Sequence, residues 1–212
     1  MKILFFGDSI TDAGRSQESL SGCGATILGS GYVRDVCATL ISESPLKYEF
    51  INRGISGNRI VDLYSRIKAD AWNHNPDVLS VFIGINDLWH EIARNNGVEL
   101  DRFIKVYKML IEDTLKALPN VKIILIEPFV IKGVSTEEKY DLFLQIKQYA
   151  SAVKQLAKEY GLYFLPLQDK IDVEVEKFGA EAFAPDGVHP ALYGAKFIAD
   201  EWVKLFNKEI KD

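Results

Sequence analysis

The sequence predicts an α/β fold, a three-layer α/β/α sandwich built on a five-stranded parallel sheet. Five short apolar runs alternate along the chain with longer segments whose apolar residues recur at three-to-four spacing, which is typical of strands alternating with helices. Small polar clusters follow the first three runs, where a parallel sheet places its ligand-binding loops. Right-handed crossover connections would then put helices on both faces of the sheet.

The first half of the chain contains three of the predicted strands. Residues 3–6 form a short, wholly apolar run that ends at a glycine, as expected of a buried strand. Apolar residues at helical spacing predict helices over residues 32–42 and 59–70, and the second strand lies between them, around residues 48–52. Residues 78–83 (VLSVFI) are nearly all apolar, so we expect the third strand there, buried on both faces.

The second half of the chain continues the alternation. Residues 100–118 have helical periodicity, residues 121–126 (VKIILI) predict the fourth strand, and the fifth lies near residues 162–165. Between the last two strands, one apolar face at three-to-four spacing predicts a long helix: Phe143, Ile146, Ala150, Val153, Ala157 and Tyr160. The final helix has a similar buried side: Ala195, Ile198, Ala199, Trp202 and Leu205.

The composition is that of an ordinary globular protein. At 212 residues, 48% hydrophobic and 26% charged, the chain is expected to form a single domain over residues 1–212. Its net charge of −5 and the lack of a basic stripe argue against nucleic-acid binding. No apolar stretch approaches the ~20 residues of a membrane span. Residues 2–6 are too short for a signal-peptide core, so we expect a cytoplasmic protein. Cys23 and Cys37 fit no zinc or redox motif.

Four polar clusters lie at the ends of predicted elements. They are residues 7–9 (GDS), 52–58 (NRGISGN) and 84–87 (GIND), which follow strands one to three, and residues 185–190 (PDGVHP), which precede the final helix. Taken singly, each is explained by a turn, because glycine, asparagine and aspartate are common turn residues. The glycine-rich segment 21–31 (SGCGATILGSG) is either a surface loop or a loop beside a site.

The last cluster places a carboxylate and an imidazole on one short loop. Asp186 and Gly187 predict a turn, and Pro190 suits the first position of the following helix, which would put His189 at its N-cap. A carboxylate this close can hold the imidazole through Nδ1–H and leave Nε2 to accept a proton. The alternative is that Asp186 only caps the helix and His189 is incidental.

The first cluster then becomes a candidate nucleophile site. A serine nucleophile needs a base, a group that orients the base, and donors for the developing oxyanion. His189 and Asp186 would supply the first two for Ser9, whereas the alternative for residues 7–9 is a simple turn. The donors would be the backbone N–H of Ser9, the backbone N–H of Gly57 and the side-chain amide of Asn86.

Together, the four clusters resemble the SGNH (GDSL) hydrolase superfamily. The superfamily is named after four residue types, which fall here on Ser9, Gly57, Asn86 and His189, with Asp186 three residues before the histidine. The matching blocks occur in the right order from residue 3 to about residue 194. The segments GDSITDAGR, GSGYV, NRGISGN, GINDLW and PF (128–129) are closest to bacterial acetyl-xylooligosaccharide esterase-like members.

The resemblance carries further implications. It implies a flavodoxin-like α/β/α fold and removal of acetyl groups from short sugar chains through an acyl-serine intermediate, without cofactor or metal. The partner would then be a small-molecule ester such as an acetylated sugar, and a homo-oligomer would be compatible with it. Three residues near the blocks are candidate substrate contacts: Asp8, Trp89 and Phe129. The two aromatic residues could stack on a sugar or pack in the core, and Asp12 and Arg15 are expected to pair locally.

Three other functions remain open at this stage. One is a general short-chain esterase, thioesterase or lysophospholipase of the same fold, and the second is an acyltransferase that keeps the triad but excludes water. The third, a carbohydrate-binding protein without turnover, is disfavoured by the intact Ser9, Asp186 and His189. The chain lacks the G-x-S-x-G elbow of α/β-hydrolases and the G-x-G-x-x-G of dinucleotide-binding folds.

Overall fold

The computed structural model describes residues 1–16 and 25–211. Within these residues, five strands form one parallel sheet in the order β2-β1-β3-β4-β5. The strands are β1 (Lys2–Gly7), β2 (Glu49–Gly54), β3 (Val78–Phe82), β4 (Lys122–Ile126) and β5 (Tyr163–Leu165). This is the flavodoxin-like strand order, and it confirms the predicted parallel sheet.

Helices fill the connections between the strands. They are α1 (Ser9–Asp12), α2 (Ala25–Leu28), α3 (Tyr32–Glu43), α4 (Ile60–Asp70), α5 (Ile85–Arg94), α6 (Leu100–Ala117), α7 (Tyr140–Phe143), α8 (Ile146–Glu159), α9 (Gln168–Phe178), α10 (Ala180–Phe183) and α11 (Leu192–Glu209). Short 3₁₀ turns occur at Trp72–His74 and Glu137–Lys139. No helix of the described chain is long and apolar enough to cross a membrane.

Two adjacent residues of the interior strand β1 show that the sheet is covered on both faces. The ring of Phe5 packs against Tyr32 of α3 and Trp202 of α11, at centroid distances of 6.0 and 5.4 Å. Phe6 points the other way, because successive strand residues face opposite sides, and its ring lies 4.4 Å from the guanidinium of Arg66 on α4. The predicted three layers are therefore present.

Besides the four-residue helices, two longer helices of the described residues were not predicted by the apolar pattern. The first turn of α5 consists of the GIND cluster, which has the composition of a turn. In α9 only Ile171 is fully buried, so this helix has almost no apolar periodicity to detect. The long helix predicted between β4 and β5 is α8, but it begins at Ile146, and Phe143 instead ends the separate short helix α7.

The start of the final helix and the glycine-rich segment 21–31 differ from the sequence predictions. The final helix was predicted to begin at Pro190, but it begins two residues later, at Leu192. The backbone N–H of Ala191 donates to the carbonyl of Phe183, which keeps the chain extended up to that point. His189 is therefore a loop residue and not an N-cap. Of the predicted loop over residues 21–31, residues 21–24 lie outside the described residues, and the remaining residues include α2.

Candidate active site

Ser9 lies at the carboxyl end of β1, an interior strand of the sheet. Asp8 leaves the strand in a non-helical conformation and is the N-cap of the single turn α1, where its Oδ1 accepts from the backbone N–H of Ile10 at 3.0 Å. This cap holds Ser9 as the first residue of α1, and the Ser9 side chain is only partly buried. The hydroxyl therefore lies at the edge of the sheet, beside the neighbouring strand ends.

The loop before α11 brings His189 to this hydroxyl. The Oγ of Ser9 lies 2.8 Å from Nε2 of His189, and Nδ1 of His189 lies 2.5 Å from Oδ2 of Asp186. The other oxygen of Asp186 accepts from the backbone N–H groups of Val188 and His189, at 2.9 and 2.7 Å. An ionised carboxylate can only accept hydrogen bonds, so Nδ1 carries the proton and Nε2 accepts from the Ser9 hydroxyl.

The two partners shift each other's proton affinity in opposite directions. Partial burial of Asp186 works against ionisation, but hydrogen bonds from His189 and the loop backbone lower its pKa to about 2. The hydrogen bond to Asp186 raises the pKa of His189 above that of an ordinary histidine, and burial opposes part of the shift. Asp186 is therefore a carboxylate at any working pH, and His189 is a stronger base than usual.

Gly57 and Asn86 reach the same cavity from two other strand ends. Ser9, Gly57, Asn86, Trp89 and His189 line a cavity of about 350 Å³, which we call the large cavity. Gly57 has φ +81°, a left-handed conformation that favours glycine. The side-chain Nδ2 of the nearly buried Asn86 donates to a carbonyl of the loop after β2 at 3.1 Å, which fixes the amide and leaves its second N–H available.

The side chains of Asp12 and Arg15 hold the loop after β2, so the predicted local pair is limited to the backbone, where the N–H of Arg15 donates to the carbonyl of Asp12 at 2.9 Å. Asp12 accepts from the backbone N–H and the hydroxyl of Ser56, at 3.0 and 2.8 Å. Arg15 Nε donates to the carbonyl of Gly54 at 2.7 Å. A Cβ on Gly54 would lie 2.2 Å from the backbone nitrogen of Asp12, so only glycine permits this approach. The loops that carry Ser9 and Gly57 are thereby joined.

Three further residues support these loops through long-range contacts that were not predicted from the sequence. Asn52 is buried and its Nδ2 donates to the carbonyls of Thr11 and Leu28, at 2.7 and 2.8 Å. Arg66 of α4 donates to the carbonyl of Gly7 and to the side chain of Asn58. Asp87 is fully buried and accepts from the first backbone N–H of α4. These contacts join distant segments, so no local sequence pattern indicates them.

The three candidate substrate contacts lie in different environments. Trp89 is half-buried, lines the large cavity and has its ring 6.1 Å from the ring of His189. Phe129 is a core residue, 0% exposed and packed between two other phenylalanine rings, so it offers no face to a substrate. Asp8 is 1% exposed and occupied as a cap, and burial raises its pKa to about 7. The predictions for Phe129 and Asp8 were therefore wrong.

A second, smaller cavity also touches the serine–histidine pair. It measures about 180 Å³, and besides Ser9 and His189 its walls are mainly small or apolar: Ile10, Ala13, Gly31, Tyr32, Pro190 and Ala195. In the part of the chain that the structure describes, no three His, Cys, Asp or Glu side chains are grouped so that they could hold a metal ion. A hydroxyl, an imidazole and fixed N–H donors are the groups that the site offers.

Comparison with known proteins adds to this geometry. Residues 5–197 match the sequence model of the GDSL-like lipase/acylhydrolase family. The chain is 35% identical over 209 residues to the acetylxylan esterase of Geobacillus stearothermophilus, which covers 96% of this chain and 92% of the esterase. A crystal structure of that esterase gives a TM-score of 0.86 at 34% identity, over 96% of this chain and 93% of its own. A protein of Parabacteroides merdae described as a GDSL-like lipase gives 0.90 at 33% identity, over 97% and 95% of the two chains.

A shared fold by itself does not establish an activity. Here the family match covers most of the chain, including the loops that carry Ser9, Gly57, Asn86 and His189. The esterase from Geobacillus stearothermophilus is similar along nearly its whole length, in sequence as well as in fold. The chain therefore belongs to the GDSL-like lipase/acylhydrolase family and is a carboxylic ester hydrolase.

Proposed function

We propose that this esterase removes short acyl groups, acetyl foremost, from ester-linked sugars, with Ser9 as nucleophile, His189 as base and Asp186 orienting the imidazole. One observation supports this most directly. The Ser9 hydroxyl, the imidazole and the carboxylate form one hydrogen-bonded line, with distances of 2.8 and 2.5 Å, beside the large cavity. In such a line the imidazole can take the hydroxyl proton as the oxygen attacks.

The reaction would take place in two halves. Ser9 Oγ attacks the ester carbonyl carbon while Nε2 of His189 takes the hydroxyl proton. The imidazolium then gives that proton to the leaving alcohol oxygen as the carbon–oxygen bond breaks, and the acyl group stays on Ser9. Water attacks the acyl-enzyme with His189 again as base, which releases the acid and restores the hydroxyl. Asp186 stays ionised and stabilises the imidazolium throughout.

Three N–H donors would stabilise the tetrahedral oxyanion. They are the backbone N–H of Ser9, the backbone N–H of Gly57 and the free side-chain N–H of Asn86. All three residues line the large cavity, so a carbonyl carbon next to Ser9 Oγ would direct its oxygen towards them. Loss of one such donor typically lowers kcat by about 10²–10³-fold.

The two cavities suit the two parts of an acetylated sugar. The small cavity has mainly small or apolar walls and fits a short acyl chain. The large cavity has about twice its volume, and the half-buried Trp89 provides an aromatic wall of the kind that packs against the apolar face of a sugar. The similar proteins support the same substrate class, since one relative is an acetylxylan esterase and its solved structures include mutants described as catalytic.

The catalytic part of the proposal is tested with aryl esters of increasing acyl length. We expect acetyl to be preferred over octanoyl, and Ser9→Ala to lower kcat/KM by at least about 10³-fold. Ser151→Ala, which changes an exposed serine of α8, is the matched control and should behave as the wild type. Activity retained by Ser9→Ala would end this mechanism.

The substrate part is tested with acetylated xylo-oligosaccharides, with loss of acetyl groups followed by mass spectrometry. We expect the wild type to release acetate and Ser9→Ala to release none. Turnover of acyl-CoA or lysophospholipid alone would contradict the sugar substrate, and transfer of the acyl group to an added alcohol in place of water would contradict hydrolysis. The family assignment would stand in that case.

A further inference from the structure

The large cavity has a charge opposite to that of the molecule. The whole chain has 30 acidic and 25 basic residues, for a net charge of −5. Among the described residues that line the large cavity there is no carboxylate, and the one permanently charged side chain is Arg94. An acidic protein that keeps a cation at its reaction cavity would attract anionic ligands there.

The Arg94 guanidinium is available to a ligand. It is exposed, and within residues 1–16 and 25–211 it makes no hydrogen bond or ion pair. Arg59, the other nearby arginine, is already bound by the carboxylate of Asp62 and by the backbone carbonyl of Asn96. Arg94 also lies in the last turn of α5, where any cation interacts favourably with the helix dipole. An experiment on Arg94 must therefore separate ligand binding from this structural role.

The spacing along α5 indicates where an anion would bind. Asn86, His90 and Arg94 are four residues apart, so they lie along one face of the helix, and all three line the large cavity. Eight residues of helix correspond to about 12 Å, and the Arg94 side chain leans back towards the helix N-terminus. We therefore expect the guanidinium to meet a part of the alcohol next to the reacting ester, and not the reacting carbonyl itself.

The pKa of His90 depends on the charges at this wall of the cavity. Burial lowers its pKa, the charges of Arg94 and Arg59 lower it further, and the carboxylate of Asp62 opposes part of the shift. His90 is accordingly neutral near pH 7, and the positive charge at this wall belongs to Arg94.

From the cavity and this placement, and resting on the proposed function, we infer that Arg94 is a substrate-binding residue for an anionic group on the alcohol part of the ester. Because the proposed alcohol is a sugar, the group would be the carboxylate of a uronic acid residue or branch next to the acetylated sugar. A guanidinium can bind a carboxylate through two parallel hydrogen bonds. The substrate class is thus an acetylated acidic oligosaccharide.

The test compares two matched substrates. One is an acetylated xylo-oligosaccharide that carries a uronic acid branch, and the other is the same molecule with its carboxyl reduced to an alcohol. We expect the wild type to favour the acidic substrate in kcat/KM by about threefold to fivefold, as an exposed ion pair would. Arg94→Gln should bring this ratio to about 1, Arg94→Lys should keep most of it, and 0.5 M NaCl should reduce it in the wild type.

Lys68→Gln is the matched control, because Lys68 is also an exposed cation in the last turn of a helix, α4, but does not line the cavity. It should keep the ratio of the wild type. A ratio near 1 in the wild type, or an Arg94→Gln variant that loses activity on both substrates equally, would overturn the inference. Stronger discrimination on an acetylated sugar phosphate than on the oligosaccharide would overturn the carboxylate assignment.

A second pair of substrates separates this inference from the proposed function. They are 4-acetoxybenzoate and 4-acetoxybenzamide, which differ in charge and contain no sugar. If the oligosaccharides are not deacetylated, the sugar substrate is wrong, and the role of Arg94 is decided by this pair alone. An Arg94-dependent preference for the benzoate supports it, and equal rates on the two compounds refute it.

Discussion

The two oxygens of the Asp186 carboxylate accept different hydrogen bonds and serve different purposes. Oδ1 accepts from two backbone N–H groups and so shapes the loop, while Oδ2 receives the imidazole Nδ1–H. The hydrogen bond between the two side chains lowers the pKa of Asp186 and raises the pKa of His189, and the two backbone N–H groups lower the pKa of Asp186 further. The loop therefore fixes both the direction of the imidazole and its strength as a base.

This coupling predicts how activity depends on pH. His189 must be neutral to accept the proton of Ser9, so kcat/KM should rise with pH through the pKa of His189, which lies above that of an ordinary histidine, about 6.5. Asp186→Asn removes the charge that raises this pKa. We expect the acidic limb to move to lower pH and kcat to fall by about 10²–10⁴-fold.

The measurement is the pH profile of kcat/KM on an aryl acetate for both proteins. Asp141→Asn makes the same charge change at an exposed site and should keep the wild-type profile. An acidic limb that stays in place in Asp186→Asn would show that another group controls the rate.

At the scale of elements, the short helix α1 depends on a cap that is costly to ionise. Asp8 is buried, and burial raises its pKa to about 7 from an ordinary value of 3.8, although the N–H of Ile10 favours the carboxylate. A carboxyl whose pKa is higher in the folded state binds more protons folded than unfolded. Its contribution to the free energy of unfolding therefore falls as the pH rises from about 4 to about 7.

Asp8→Asn should remove this pH-dependent loss. Asparagine keeps an oxygen that can accept from Ile10 and has no charge to bury, so the variant should gain stability relative to the wild type at pH 8 compared with pH 5. About two pKa units of this shift lie above pH 5, so the difference between pH 5 and pH 8 corresponds to about 2–3 kcal/mol. Urea unfolding at the two pH values measures the difference, and an equal effect at both would refute the assignment.

The contact between α1 and the end of β2 gives a second prediction at this scale. In Gly54→Ala the new Cβ would meet the backbone of Asp12 and Thr11, at 2.2 and 2.6 Å, and neither can move without displacing α1. We expect a loss of about 1–3 kcal/mol in the free energy of unfolding, together with a marked fall in kcat because Ser9 and Gly57 separate.

Gly161→Ala is the control for the loss of stability alone. Gly161 has φ +64° and no atom near its Cβ position, so alanine there adds backbone strain of about 1–2 kcal/mol far from Ser9. Its kcat should equal that of the wild type. If Gly54→Ala is destabilised but keeps full kcat, the contact does not position the site.

The elements differ in how far the sequence could predict them. The strands were predictable because both faces of the sheet are covered, which requires continuous apolar runs such as residues 78–82. The helix α9 was not, since it buries little more than Ile171. In the candidate site, Ser9 and His189 were predicted through motifs, whereas Arg66 makes long-range contacts with Gly7 and Asn58 that no local pattern encodes.

At the scale of the whole molecule, the site forms where the strand order reverses. The chain runs outward from β1 to β2 on one side and from β3 to β5 on the other, so the loops after β1 and β3 diverge and leave a crevice. Ser9 and Asn86 follow these two strands. His189 comes from 180 residues further along the chain, and its loop is attached to the segment after β4 by the N–H of Ile131, which donates to the carbonyl of Gly187.

The final helix, α11, packs against the centre of the sheet and so fixes the end of the chain that carries His189. Trp202 of α11 is 0% exposed, lies 5.4 Å from the ring of Phe5 and stacks on Phe206 at 5.1 Å. Its indole Nε1–H donates to the hydroxyl of Ser80 on β3 at 3.0 Å. One side chain therefore joins the last helix of the chain to the two central strands.

Truncating this side chain should weaken the whole fold and not the chemistry. We expect Trp202→Ala to lower the free energy of unfolding by about 3–5 kcal/mol, since it removes a large buried ring and leaves a cavity. Trp202→Phe keeps an aromatic ring but leaves the buried Ser80 hydroxyl without its donor, at a cost of about 1–3 kcal/mol. Both variants should keep the kcat of the wild type well below their unfolding temperatures, because Trp202 does not line either cavity. Urea unfolding and aryl acetate kinetics on the same samples test this, and a kcat that falls in step with stability would show that α11 also positions His189.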